Sequence, residues 1–272
     1  MSLFQKEYGF TDEQSIYDCF NSYPYESLEF SQYETNYVWD YTRDPIITST
    51  IIEEWRYLNS ELSKVITKGK KILSIGGGGS SQTHTMLGQN CDYLVILNPS
   101  FWDLENAGVP SETKLIKVRA LAEKLPFQNA VFDTIEIPAT IDHLNNQRES
   151  LKECHRVLSN GGILAITCGN SESYYRKLIN ILRISVKDNH SHAHTWHANP
   201  SSLKELLISE GFSDIQIRTT AYLKLPKFIE RRISNGPVMK VHQFFSNNIL
   251  PRLVGKEYGG MMIATARVIK PS

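Results

Sequence analysis

The chain has 272 residues, of which 41% are hydrophobic and 21% charged, proportions typical of a soluble globular protein and not of a disordered or membrane-embedded one. Lys plus Arg and Asp plus Glu both number 29, so no global field draws the chain to nucleic acid or to an anionic surface. Cys19, Cys91, Cys154 and Cys168 form no C-x-x-C pair, and no stretch of about 18 apolar residues or basic-then-apolar leader occurs. The expectation is a cytoplasmic protein with reduced, mostly buried thiols, no membrane span and no nucleic-acid partner.

From Met1 to Gly69 the chain is aromatic-rich, with eight of its thirteen tyrosines before Asn59. Ile47, Ile51, Ile52, Trp55, Leu58, Leu62 and Val65 recur at helical spacing and predict a helix from about Pro45 to Ile66. This N-terminal helical region either packs on the rest or forms a lid. Tyr23, Tyr25, Tyr33, Tyr37 and Tyr41 suit half-buried packing or an aromatic wall beside a cationic ligand, which makes Tyr37 a candidate substrate contact.

A second unit spans residues 70–272. KILSI, YLVIL, KLIKV, FDTIEI, GILAIT and DIQIRT read as strands, with amphipathic helices between them that include Ser150–Leu158 and Ser202–Glu210. This alternation predicts a Rossmann-like α/β fold, a mostly parallel sheet covered on both faces. Ser202-x-x-Glu205 fits a capping box, and Gly211 fits a helix stop. Residues 226–256 read as a helical insertion before a last strand, GGMMIATARVI, whose direction the pattern leaves open.

Between the first strand and the next helix stand Gly76, Gly77, Gly78 and Gly79, which remove the side chains that would block a ligand's approach to the backbone. In an open α/β sheet such a turn lies where ligands bind. No Gly-Lys-Ser/Thr follows, and Ser81 stands where a dinucleotide fingerprint needs its third glycine.

Further along come Ala122-Glu123-x-Leu125-Pro126-Phe127, Phe132-Asp133, Asp142-His143-Leu144 and Glu153-x-x-Arg156-Val157-Leu158-x-x-Gly161-Gly162. In order and spacing these resemble the class I S-adenosylmethionine-dependent methyltransferases, in particular the small-molecule branch that includes the ubiquinone and menaquinone biosynthesis enzymes. The resemblance covers about Lys70 to Thr220 and implies a seven-stranded sheet with S-adenosylmethionine as cofactor. It places Gly76, Gly77 and Gly78 by the methionine part, Asn98 by the ribose, and Leu121 and Ala122 by the adenine. It also implies three acids, and the chain has Ser74, Ile96 or Asn98, and Leu121 in their places. A hydrogen bond to a charged acceptor contributes roughly 1.5–3 kcal/mol, a large share of the ~8 kcal/mol in micromolar binding. A cofactor therefore needs replacement contacts from Ser74, Asn98, Ser80, Ser81 or the main chain.

On the acceptor side, Asp142 and His143 follow strand four, and an imidazole titrating near neutrality suits a proton acceptor; the same pair also suits a purely structural role. Half of the eight histidines lie between His190 and His197. No carboxylate or thiol accompanies them at a metal-ligand spacing, so the segment is not taken as a metal site. By the resemblance, His194, Trp196 and His197 border the substrate. The expectation is methyl transfer to a small-molecule, glycan or lipid-linked acceptor. The alternative is a catalytically inactive binding or regulatory protein that has lost the cofactor, and a third is a rearrangement or cyclisation in the same pocket.

Overall fold

A computed structural model describes residues 16–19, 71–78, 93–107, 114–181, 195–223 and 237–270. The expected helix at 45–66, Tyr37 and His194 lie outside these residues.

Eight strands form one sheet: β1 (Tyr17–Asp18), β2 (Lys71–Ile75), β3 (Tyr93–Leu97), β4 (Lys114–Arg119), β5 (Phe132–Pro138), β6 (Leu158–Gly169), β7 (Phe212–Thr220) and β8 (Met261–Val268). Their spatial order is β1-β4-β3-β2-β5-β6-β8-β7. Strands β1 to β6 pair in parallel, and β8 runs antiparallel between β6 and β7. The expected α/β class holds, with one strand more than the seven expected. The addition is the two-residue β1, which pairs with β4 through Tyr17 opposite Val118.

The central strands are apolar on both sides because both sides are covered. Leu73, Ile75, Val95, Leu97 and Ile135 enter the larger core, while Ile72, Leu94 and Ile96 enter a second cluster with Leu104 and Ala107. In the larger core Phe127 and Phe132 meet edge to face, with ring centroids 4.9 Å apart. Cys19, Cys154 and Cys168 are free and buried.

Among the described residues six α-helices accompany the sheet: α1 (Phe101–Glu105), α2 (Gln147–Val157), α3 (Tyr174–Ile181), α4 (Pro200–Ser209), α5 (Pro237–Phe244) and α6 (Leu250–Val254), with a π-helical turn, Phe245–Ile249, joining the last two. Helix α2 is capped by Asn146, whose side chain accepts from Glu149 N–H, and it buries Leu151, Cys154 and Val157. The box at α4 begins three residues earlier than the Ser202-x-x-Glu205 reading. Asn199 accepts from Ser202 N–H at 2.9 Å and Ser202 Oγ accepts from Asn199 N–H at 3.0 Å, with Pro200 in the first turn. Proline's fixed φ and missing N–H suit that first position, so Ser202 is the third helical residue rather than the cap. Gly211, at φ +85, ends the helix as expected.

Candidate functional site

Strands β2, β3 and β5 end on the same edge of the sheet, and there the backbone turns sharply. Gly76 has φ +74, and a Cβ on it would collide with the side chain of Thr140. A Cβ on Gly78 would collide with Asp103 in the same way. The turn is thus held against the β5 loop on one side and α1 on the other. Gly76 N–H donates to Leu97 O at 2.8 Å. Asn98 is 3% exposed. Its Nδ2 donates to Gly77 O at 2.8 Å and its Oδ1 accepts from Ser100 N–H at 2.9 Å. Asn98 therefore ties the glycine turn to the first turn of α1.

Over this edge lies a crevice of about 470 Å³, open to solvent. It brings together Gly76, Asn98, Leu121, Ala122 and His143 from the candidate set, and adds Leu97, Glu123, Thr140 and Leu144. Ser74, Gly77, Gly78, Trp196 and His197 are not among the lining residues. Trp196 packs against the larger core and His197 is exposed.

His143 ends a short 3-10 turn, Ile141–His143, and its Nε2 is 3.9 Å from Asp142 Oδ1. Thr195, a residue sequence reasoning passed over, fastens this turn to the segment before α4. Its N–H and hydroxyl donate to Asp142 O, at 2.9 and 3.1 Å, and the hydroxyl also reaches Leu144 O at 2.6 Å. Gln147 Nε2 donates to the Thr195 hydroxyl and to Leu144 O, both at 2.9 Å. Glu123 also lines the crevice, and its Oε1 accepts from Asn145 and Asn146 N–H at 3.0 and 3.2 Å.

A methyltransferase domain family model matches Leu73–Ile166, from β2 into β6. The sequence of that stretch is similar to a methyltransferase domain. The chain is similar to the ubiquinone/menaquinone biosynthesis C-methyltransferase UbiE of Neisseria meningitidis, 23% identical over 190 residues that cover 62% of this chain and 77% of the relative. A methyltransferase structure from Thermotoga maritima shares its fold at a TM-score of 0.57 and 16% identity, covering 78% of this chain and 88% of the other. The 4+2 cyclase SpnF shares it at 0.54 and 18%, covering 79% and 82%.

Behind the glycine turn, the chain carries an acid on an unexpected strand. Glu136 of β5 stands directly opposite Ser74 in the parallel register, and is fully buried. Burial pushes its carboxyl up to about 7, and the Ser74 hydroxyl beside it offsets a part of that. The hydroxyl is near but outside bonding geometry: neither carboxylate oxygen nor Ser74 Oγ makes a hydrogen bond. In sequence the only sign is one glutamate inside the apolar run FDTIEIP, and such residues are rarely buried without a reason.

Proposed function

We propose that this protein moves a methyl group from S-adenosylmethionine to a small-molecule, glycan or lipid-linked acceptor in the crevice at the carboxyl edge of its sheet. The observation that carries the proposal is a side-chain-free turn, closed to any Cβ by Thr140 and Asp103, opening onto a crevice of about 470 Å³. Leu97, Leu121, Ala122 and Leu144 offer apolar surface suited to a purine. The main chain of Gly76 to Gly78 would meet the methionine part, and Asn98 the ribose through its second amide hydrogen and second lone pair. Glu136, opposite Ser74 in the sheet, puts a carboxyl behind the turn where the resemblance implies an acid at Ser74.

The bound cofactor supplies an electrophilic methyl group on a sulfonium. The chain's part is alignment of the acceptor, the largest lever in a displacement of this kind. His143 takes the proton that an oxygen or nitrogen acceptor loses, with Asp142 Oδ1 3.9 Å from its Nε2. His194, Trp196, His197 and Tyr37 are the acceptor contacts of this reading.

Melting the purified protein with S-adenosylmethionine or S-adenosylhomocysteine tests it, because a ligand raises the midpoint only of a native state that binds it. A rise that grows with ligand concentration is expected. A flat midpoint up to millimolar ligand overturns the proposal and favours a second reading, a binding protein without catalysis. That reading draws on the bonds already made by Asn98 to Gly77 and Ser100 and by Glu123 to Asn145 and Asn146.

A further inference from the structure

Between β7 and β8 the chain makes an excursion that is built inside out. From Pro237 to Val254 it runs as α5, the π-helical turn and α6. The residue it buries is Ser246, whose hydroxyl accepts from Leu223 N–H at 2.9 Å, and the neighbouring Asn247 Oδ1 accepts from Ala221 N–H at 2.7 Å. The residues it shows to solvent are Val238, Val241, Phe244, Phe245, Ile249 and Leu253, with Phe244, Val241 and Leu253 at 62%, 67% and 73% exposure. Val238, Val241, Phe245, Ile249 and Leu253 follow one another at spacings of three and four, so they form one stripe roughly 20 Å long. A surface helix ordinarily turns such a stripe inward.

Charge identifies what the stripe meets. The chain as a whole is neutral, yet Lys224 to Lys256 holds seven Lys and Arg against one Glu, a net charge of +6. No acidic residue lies between Pro237 and Gly255. Lys240, Arg252 and Lys256 are exposed, and none of them enters an ion pair among the described residues. A second copy of this face would bring like charge against like charge. An apolar stripe with aromatic rings whose only charged residues from Pro237 to Lys256 are cations matches an element that lies in the plane of a bilayer interface, with rings among the acyl chains and cations among anionic headgroups. No helix among the described residues is long and apolar enough to cross a membrane, so the match is to lying on the surface rather than spanning it.

We propose that Pro237–Val254 docks this protein on anionic lipid bilayers. The excursion leaves β7 at Thr220 and returns at Met261, which pairs with both Thr220 and Gly169. It therefore rises from the sheet edge that carries the crevice. An acceptor with a long apolar tail would reach that edge without leaving the bilayer; this last step rests on the methyl-transfer reading, and the docking itself does not.

Vesicle flotation of the full chain tests the docking, using phosphatidylcholine alone and phosphatidylcholine with phosphatidylglycerol. The protein is expected to float with the anionic vesicles, less so as salt rises. Phe244→Glu with Leu253→Glu abolishes flotation, and Lys240→Glu with Arg252→Glu lowers the partition coefficient on the order of tenfold or more. Both variants keep the wild-type melting temperature, since the altered side chains face solvent. Wild-type protein that stays unbound with both vesicle types overturns the proposal. So does flotation that the variants leave unchanged, or a dimer in sedimentation that Phe244→Glu dissociates while vesicles bind nothing. A flat cofactor melting curve alongside anionic flotation would sink methyl transfer and leave the docking standing.

Discussion

On the α2 side of the crevice the polar groups are matched, and on the glycine side a buried cluster is not. Arg156 alone donates to the carbonyls of Leu125 and Phe127, to Asn129 and to both oxygens of Glu153, while Glu153 accepts from Leu125 N–H at 2.7 Å. A few residues away across the sheet, Ser74 and Glu136 face each other without a bond. The difference separates a wall from a floor. A loop satisfied by its own side chains holds its shape whether or not a ligand is present. A buried carboxyl without donors destabilises the free protein once it is charged, and this one holds its proton up to about pH 7.

Three substitutions break or sharpen this contrast. Arg156→Ala leaves Glu153 and two carbonyls short of donors and is expected to lower stability by about 4 kcal/mol, read by urea unfolding. Glu136→Gln acts in the opposite direction. The folded carboxyl, at about 7, lies above its ordinary value of 4.5, so the native state retains a proton that the unfolded chain releases. The wild type therefore loses stability as pH rises from about 4.5 to about 7. Above that window the glutamine variant should be more stable by about 3 kcal/mol, and the gap should close in acid. Unfolding curves at both ends of the window check it, and a gap independent of pH would refute the burial account. Asn98→Ala has the smallest effect, about 1–2 kcal/mol for the lost bonds to Gly77 and Ser100. A loss this small in unfolding, set against a large loss of cofactor-induced stabilisation, would mark Asn98 as a ligand contact as well as a clamp.

The elements that sequence reasoning places well are those set by local pattern. KILSI and YLVIL are strands over the same five residues in the structure, because a short apolar run between turn residues has few other uses in a buried parallel sheet. The meeting of Gly76, Asn98, Leu121, Ala122 and His143 follows from the same topology, which gathers the carboxyl ends of parallel strands on one edge. What stayed hidden depends on register and on partners distant in sequence. Nothing local says that Ser74 and Glu136 are opposite each other, since parallel register is set by crossovers of many residues. Thr195 looks like any loop threonine until the backbone of Asp142 comes within its reach. Asn199 lost its place as cap to Ser202 in the sequence because both fit, and Pro200 decides between them. The inverted face of α5 and α6 was hidden for a different reason: helical periodicity gives a stripe but not the side it faces.

The antiparallel β8 makes one more thing possible. Because Thr220 and Met261 are neighbours in the ladder, everything between them leaves and rejoins the sheet at a single point, as a hairpin loop does. Closing such a loop costs little more when it grows, since the entropy rises only with the logarithm of its length. Relatives could lengthen, trim or exchange this excursion without disturbing a single strand pairing, and so change where the protein works while leaving its chemistry in place.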